Sequence, residues 1–327
     1  MENKCCGDKR CLFRSGSSQT LQKSFKTVTE KTREGKGLWE KCEHCGLVIN
    51  RDGVPTEEAE IYYNETYVKT NSYSKGEIMN AKAHFDARID SLRPRAEYLS
   101  KWLKPDYSVF ELGAATGELL WLIKNKVKIC QANEVNRLYS SFIENELNIE
   151  SSFENYLKMN FTDKFDFILA LNTIDHIYST LEVVKKINLD LNKGGYFYVE
   201  CPNDIQALKT RLPEPQRLIF QEFMYQKAHY YSFAFDTLKR LLIENGFEIV
   251  DEQNRHDYTL MNYLQWFFAG VPMQRLQDAK KNPCLYEDSN DFESDMNDVF
   301  GRANEEFKKI ITKHKLGESL CILARKV

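Results

Sequence analysis

At 327 residues the chain is long enough for one large or two modest domains with a complete core. Its 45 basic residues stand against 48 acidic ones, and a net charge of −3 offers no field to a polyanion, so nucleic acid is not an expected partner. No apolar run approaches the ~20 residues that span a bilayer, and Met1-Glu-Asn-Lys-Cys5 holds no apolar signal core, so the expectation is a cytoplasmic enzyme without a membrane partner.

In such a setting, nine cysteines indicate reduced thiols or metal rather than disulfides. Cys42-Glu-His-Cys45-Gly46 is a C-x-x-C-G knuckle, in which the glycine lets backbone N–H groups turn toward thiolate sulfurs. Cys6 and Cys11 form a looser second half, with Cys5 an alternative to Cys6. Four thiolates in two halves, Cys6, Cys11, Cys42 and Cys45, suit a closed, structural Zn²⁺ site. The metal would stabilise a segment too short to draw on a core of its own. Residues 1–55 are therefore expected to form a cysteine-rich module.

Residues 56–104 read as a tyrosine-rich linker with lid helices. Ile78, Ala81, Phe85, Ile89 and Leu92 recur at helical spacing, which predicts a helix over 77–92 that Pro94 breaks or restarts. His84 is expected on its surface.

The stretch Ser108-Val-Phe-Glu-Leu-Gly-Ala-Ala-Thr-Gly117 then reads as a buried strand and a tight glycine turn into a helix. A turn of this kind brings backbone close to a ligand and offers it the unpaired N–H groups of a helix start. The next strand, from Val127, ends on Glu134, a carboxylate placed to accept from ribose hydroxyls. The third glycine of a dinucleotide fold is missing, and no Gly-Lys follows as in a phosphate loop. An acid beside the turn, Glu111, suits an ammonium group better than a pyrophosphate. The cofactor expected is a nucleoside carrying an amino acid and no phosphate.

These residues resemble motif I of the class I S-adenosylmethionine (SAM) methyltransferases, E/D-x-G-x-x-x-G. The resemblance widens along the chain, beginning with the knuckle, Pro55 and Tyr62-Tyr63-x-x-x-Tyr67. Next come Phe165-Asp-Phe-Ile ending in Asn172-Thr-Ile-Asp-His176-Ile, and Gly194-Gly195 ahead of Pro202-Asn203. His229-Tyr-Tyr-Ser-Phe before a helix that ends at Gly246-Phe247 completes the set. It is the pattern of methyltransferases with a cysteine-rich N-terminal segment that act on sugars and natural products. The resemblance implies an α/β fold with a Rossmann-like seven-stranded mixed sheet, strand order 3-2-1-4-5-7-6. To this are added the small zinc module and a helical insertion before the last strand. The SAM core is expected at 105–257, the insertion at 258–316 and the last strand at 317–327.

By the same resemblance SAM is held by Glu111, Gly113, Ala115, Gly117, Glu134, Phe153, Asn172 and Asp175. Tyr67 and Tyr73 belong to a lid. An alcohol acceptor gains from a general base, and His229 and His176 are the histidines expected at that sheet edge, with Tyr67 beside them. The expected reaction is methyl transfer to a small-molecule acceptor, a hydroxyl of a sugar, nucleotide-sugar or polysaccharide precursor. A zinc-containing RNA methyltransferase, a sugar C-methyltransferase and a non-enzymatic partner protein are the competing readings. Trp266, Phe267 and Phe268 in the insertion are expected to cap the sheet and close a homodimer, with the wall of an acceptor pocket as the alternative.

Overall fold

The computed structural model describes residues 10–13, 24–54, 62, 80–273, 279–280 and 285–327. Cys5, Cys6, Tyr63, Tyr67 and Tyr73 lie outside the described residues. Near the N-terminus, β1 (Phe25–Thr32), β2 (Gly35–Cys42) and β3 (Val48–Asn50) form an antiparallel meander. Helix α1 (Ala81–Leu99) leads into β4 (Ser108–Leu112), α2 (Glu118–Ile123), β5 (Ile129–Asn133), α3 (Arg137–Leu147), β6 (Glu150–Ser152) and β7 (Phe165–Leu171). Then come α4 (Thr180–Asp190), β8 (Leu191–Pro202) and two helices, α5 (Ala207–Thr210) and α6 (Gln216–Met224). Strand β9 (Tyr231–Ser232) precedes α7 (Phe235–Glu244), β10 (Phe247–Arg255), α8 (Leu260–Ala269), α9 (Asp291–Lys313) and β11 (Ser319–Lys326).

The large sheet runs β10-β11-β8-β7-β4-β5-β6. β4 through β8 are parallel, and β11 is antiparallel to both β8 and β10. Alternation along β4 sends Phe110 and Leu112 into one buried cluster and Val109 into the other. Helices α4 and α7 cover the first face through Val183, Ile187, Leu238 and Leu241, while α1, α2 and α3 cover the second through Leu92, Leu99, Leu119 and Ile143. Each of these side chains gains roughly 1.5–3 kcal/mol from leaving water, which explains why a parallel sheet reads as continuous apolar runs. The chain leaves β4 for β5 on one side and meets β7 on the other. The crevice above the carboxyl end of β4 is thus the switch point, where open α/β sheets bind ligands.

Two expectations are corrected here. Helix α1 is continuous through Pro94. The proline removes one N–H donor from the helix, but Leu92, Ala96 and Leu99 on either side are all buried against the sheet and carry the helix past it. His84, expected in solvent, is 4% exposed. Gly194-Gly195 lies within β8.

The N-terminal meander does not stand apart. β3 pairs antiparallel with β9, so the small sheet has the order β1-β2-β3-β9 and is fastened to the loop that follows α6. Asn50, 1% exposed, donates its backbone N–H to Tyr230 O at 2.9 Å and its side-chain Nδ2 to His229 O at 2.8 Å.

Below the crevice, Arg95 of α1 grips the carboxylate of Glu200 on β8 at 2.9 and 3.0 Å, and Arg255 of β10 donates to the same group. Burial alone would raise the pKa of Glu200, but the guanidiniums of Arg255 and Arg95 hold it far below the usual carboxylate range. Removing one partner of such a pair strands the others in a dry interior. Glu200→Gln should cost about 3 kcal/mol of folding stability, measured by denaturant titration; a cost within error of a surface substitution would show that the network contributes nothing.

Candidate active site

The turn after β4 is built from positive-φ residues: Gly113 (φ 71°), Ala115 (φ 49°) and Gly117 (φ 79°). A Cβ at Gly113 would lie 2.5 Å from Thr173 Oγ1, so glycine is required there by space as well as by backbone angle. Gly113 N and Ala114 N both donate to Asn133 O, at 2.8 and 3.1 Å, which ties the turn to the end of β5. Glu134 completes the tie, accepting from Ala115 N at 2.8 Å through Oε2 and from Asn136 N at 2.8 Å through Oε1. An ionised carboxylate takes about four hydrogen bonds, so two acceptor positions remain for a ligand.

A cavity of about 1050 Å³ opens over this turn. Glu111, Gly113, Ala115, Glu134, Phe153 and Asn172 line one end of it. Gly117 stands behind, at the N-cap of α2, where a Cβ would lie 2.9 Å from the Leu147 side chain and 3.0 Å from that of Ile143. Oε2 of Glu111 is buried without a hydrogen-bond partner among the described residues. Burial, and then the neighbouring Glu118, push the Glu111 carboxyl well above its ordinary range. A cationic ligand group would relieve that cost. Phe153 is half exposed under the guanidinium of Arg137, 4.7 Å from its ring centroid.

Sequence reasoning missed one part of this end. His84 Nδ1 lies 3.0 Å from Thr116 Oγ1, which donates to Glu118 Oε1 at 2.8 Å. Arg88 Nε approaches the same carboxylate at 3.6 Å. Burial works against the charge on Glu118, yet Arg88 and His84 keep its pKa below the ordinary value. Helix α1 therefore clamps the glycine turn through polar groups. The acid in Thr116-Gly117-Glu118 was the available signal, but nothing local links it to His84.

The other end of the cavity carries the histidines. His229 Nδ1 is 2.8 Å from Asp175 Oδ2, and His176 Nε2 is 3.7 Å from the same oxygen. The two imidazole rings lie 4.1 Å apart. Both histidines line the cavity, whereas Asp175 is fully buried behind them. Asp175 was expected among the cofactor-binding residues; its carboxylate instead faces the two imidazoles. Burial, and then the proximity of His229, lower the pKa of His176 to about 4, so its ring is neutral at physiological pH. Arg33 and Trp39 reach this end from the N-terminal sheet, with Tyr225 stacked on Trp39 at 4.4 Å between centroids. Trp266 also lines it, packed edge-on against Phe220 at 4.9 Å, which is the pocket-wall alternative among its expected places.

At the cysteine knuckle Cys42 N donates to Leu47 O and Gly46 N to Cys42 O, both at 2.9 Å. The thiol of Cys45 is within hydrogen-bonding reach of those of Cys11 and Cys42.

Sheet order, glycine turn and the acid that follows β5 suit an enzyme built around a nucleoside cofactor. A family model described as a methyltransferase domain matches residues 83–252, just over half of the chain, and the chain belongs to that family. It is a SAM-dependent methyltransferase. Among solved structures it is similar to a SAM-dependent methyltransferase from Archaeoglobus fulgidus, with 18% identity, a TM-score of 0.47, and coverage of 75% of this chain and 96% of that one. A SAM-dependent methyltransferase from Clostridium acetobutylicum shares 13% identity at a TM-score of 0.40, covering 83% of this chain and 98% of that one. At such identities these structures say nothing of the acceptor. A comparison with curated proteins finds no match.

The residues present fit SAM: an unsatisfied buried acid for the ammonium group, and free acceptor positions on Glu134 for the ribose. Burial pushes the pKa of Glu134 up to about 7, against the pull of its two backbone donors. SAM favours the ionised carboxylate, so binding near pH 7 should release a proton, and affinity should weaken as pH falls from 8 to 6. Calorimetry in buffers of different ionisation enthalpy reads the proton directly. Glu134→Gln should diminish the release and leave the share of Glu111, whose carboxyl is also held above its ordinary range; a release undiminished by this substitution would assign it elsewhere.

Proposed function

We propose that the enzyme methylates a hydroxyl group of a small, sugar-like acceptor, with His229 taking the proton. The single observation that carries this reading is the Asp175–His229 pair at the cavity end opposite Glu134. A carboxylate 2.8 Å from Nδ1 fixes the ring and leaves Nε2 available to a ligand. Asn50 holds the His229 backbone from below. SAM, when bound, supplies an electrophilic methyl group on its sulfonium. The chain's own residues align the nucleophile, exclude water and accept the proton, which is most of what an in-line displacement requires.

Aromatic rings around the acceptor end, Trp39, Tyr225, Phe223 and Trp266 among them, favour a compact acceptor with apolar faces over an extended polyanion. Tyr67 lies outside the described residues; its proposed role is that of a lid residue. Cys11, Cys42 and Cys45, joined by Cys6, are the ligands proposed for a structural Zn²⁺. That metal would fasten the sheet from which Trp39 and Asn50 reach the acceptor end. A cytoplasmic setting belongs to the same reading.

His229→Ala should lower turnover by about a hundredfold or more while SAM affinity stays near wild type; loss of SAM binding together with altered folding would make the residue structural. Cys42→Ser should remove zinc from the purified protein, read by elemental analysis, and lower its thermal midpoint. Full retention of both would end the zinc assignment.

A further inference from the structure

Asp175 poses an electrostatic problem that the proposed proton transfer does not solve. Its side chain is buried to 0% exposure, as is that of Glu200. Glu200 is neutralised by two guanidiniums, Arg95 and Arg255. The basic titratable groups facing Asp175 are two imidazoles, His176 and His229, with no lysine or arginine bridged to it among the described residues. Its Oδ1 accepts no hydrogen bond from another described residue. A carboxylate in a dry interior with that much unmet capacity is costly unless a cation compensates it.

The geometry points to a divalent transition-metal site formed by Asp175, His176 and His229. One ligand atom from each lies within 4.8 Å of the other two. Ligands bonded at about 2.1 Å and roughly right to tetrahedral angles stand about 3–3.5 Å apart. The separations here, 2.8 Å from His229 Nδ1 and 3.7 Å from His176 Nε2 to the shared oxygen, straddle that range. His176 also hydrogen-bonds the backbone of Ala228, the kind of outer contact that fixes a ligating imidazole. Two imidazoles and one carboxylate suit Fe²⁺, Co²⁺, Ni²⁺ or Zn²⁺ more than Mg²⁺ or Ca²⁺. Both histidines line the cavity, so the remaining coordination positions face the acceptor space. The site is separate from the cysteine cluster in ligand chemistry as well as in place. It stands on the cluster's geometry and does not require His229 to be the base; a metal there would occupy Nδ1 and take over the polarising of a bound hydroxyl.

Co²⁺ titrated into the purified full-length protein tests this, followed by absorption spectroscopy and calorimetry. The expected result is one equivalent bound with the weak ligand-field bands of nitrogen and oxygen donors and no thiolate charge transfer. His176→Ala and His229→Ala should each weaken that binding by tenfold or more, and Cys42→Ser should leave it unchanged. Both histidines are at the cavity surface, so these variants test the site even where Asp175→Asn fails to fold. Cobalt bound only with thiolate bands, or with an affinity indifferent to both histidine variants, overturns the metal site. In that case a His229→Ala enzyme that still binds SAM but does not turn over leaves the proton-transfer reading standing.

Discussion

The tie between the glycine turn and Glu134 sets the rest of the site. Three residues of left-handed backbone in a span of five would be unstable in isolation, and the turn persists because its N–H groups are spent on the end of β5: Gly113 and Ala114 on Asn133 O, Ala115 on the Glu134 carboxylate. The same carboxylate holds the turn open and keeps acceptor positions facing the cavity. Thr173, packed where a Cβ of residue 113 would stand, brings the end of β7 against the turn. From that contact the chain runs directly into Asp175 and His176. Cofactor geometry and acceptor chemistry are coupled through one steric requirement for glycine.

A second dependence runs from the N-terminal sheet. β3 pairs with β9 immediately after His229, and Asn50 bonds the carbonyls of His229 and the neighbouring Tyr230. The histidine side chain is oriented by Asp175 from the core, while its backbone is held by a strand from the cysteine module. The module also contributes Trp39 and Arg33 to the cavity wall. A structural segment and a recognition segment are here one sheet.

The cofactor half was legible in the sequence because its signals are local: a strand, two glycines and a terminal acid within 30 residues of chain, each with one reading in backbone terms. His229 and His176 were identifiable as a pair at the sheet edge, yet their shared contact with Asp175 was not, since it joins segments 54 residues apart. His84 shows the opposite failure. On an amphipathic helix a polar residue reads as solvated, and only the folded position of Thr116 and Glu118 reveals why it is buried. Pro94 failed for a related reason: local propensity ends a helix there, and burial of Leu92, Ala96 and Leu99 overrides it. The pairing of β3 with a two-residue β9 carries no sequence signature at all.

The seating of the meander on β9 has an evolutionary reading. Residues 24–54 touch the acceptor end of the cavity and leave the glycine turn, Glu111 and Glu134 to the core. Drift in that sheet can therefore remodel which molecule is accepted while the binding of SAM is preserved. Changes in that sheet reach the acceptor end through the junction with β9 and do not pass through the glycine turn.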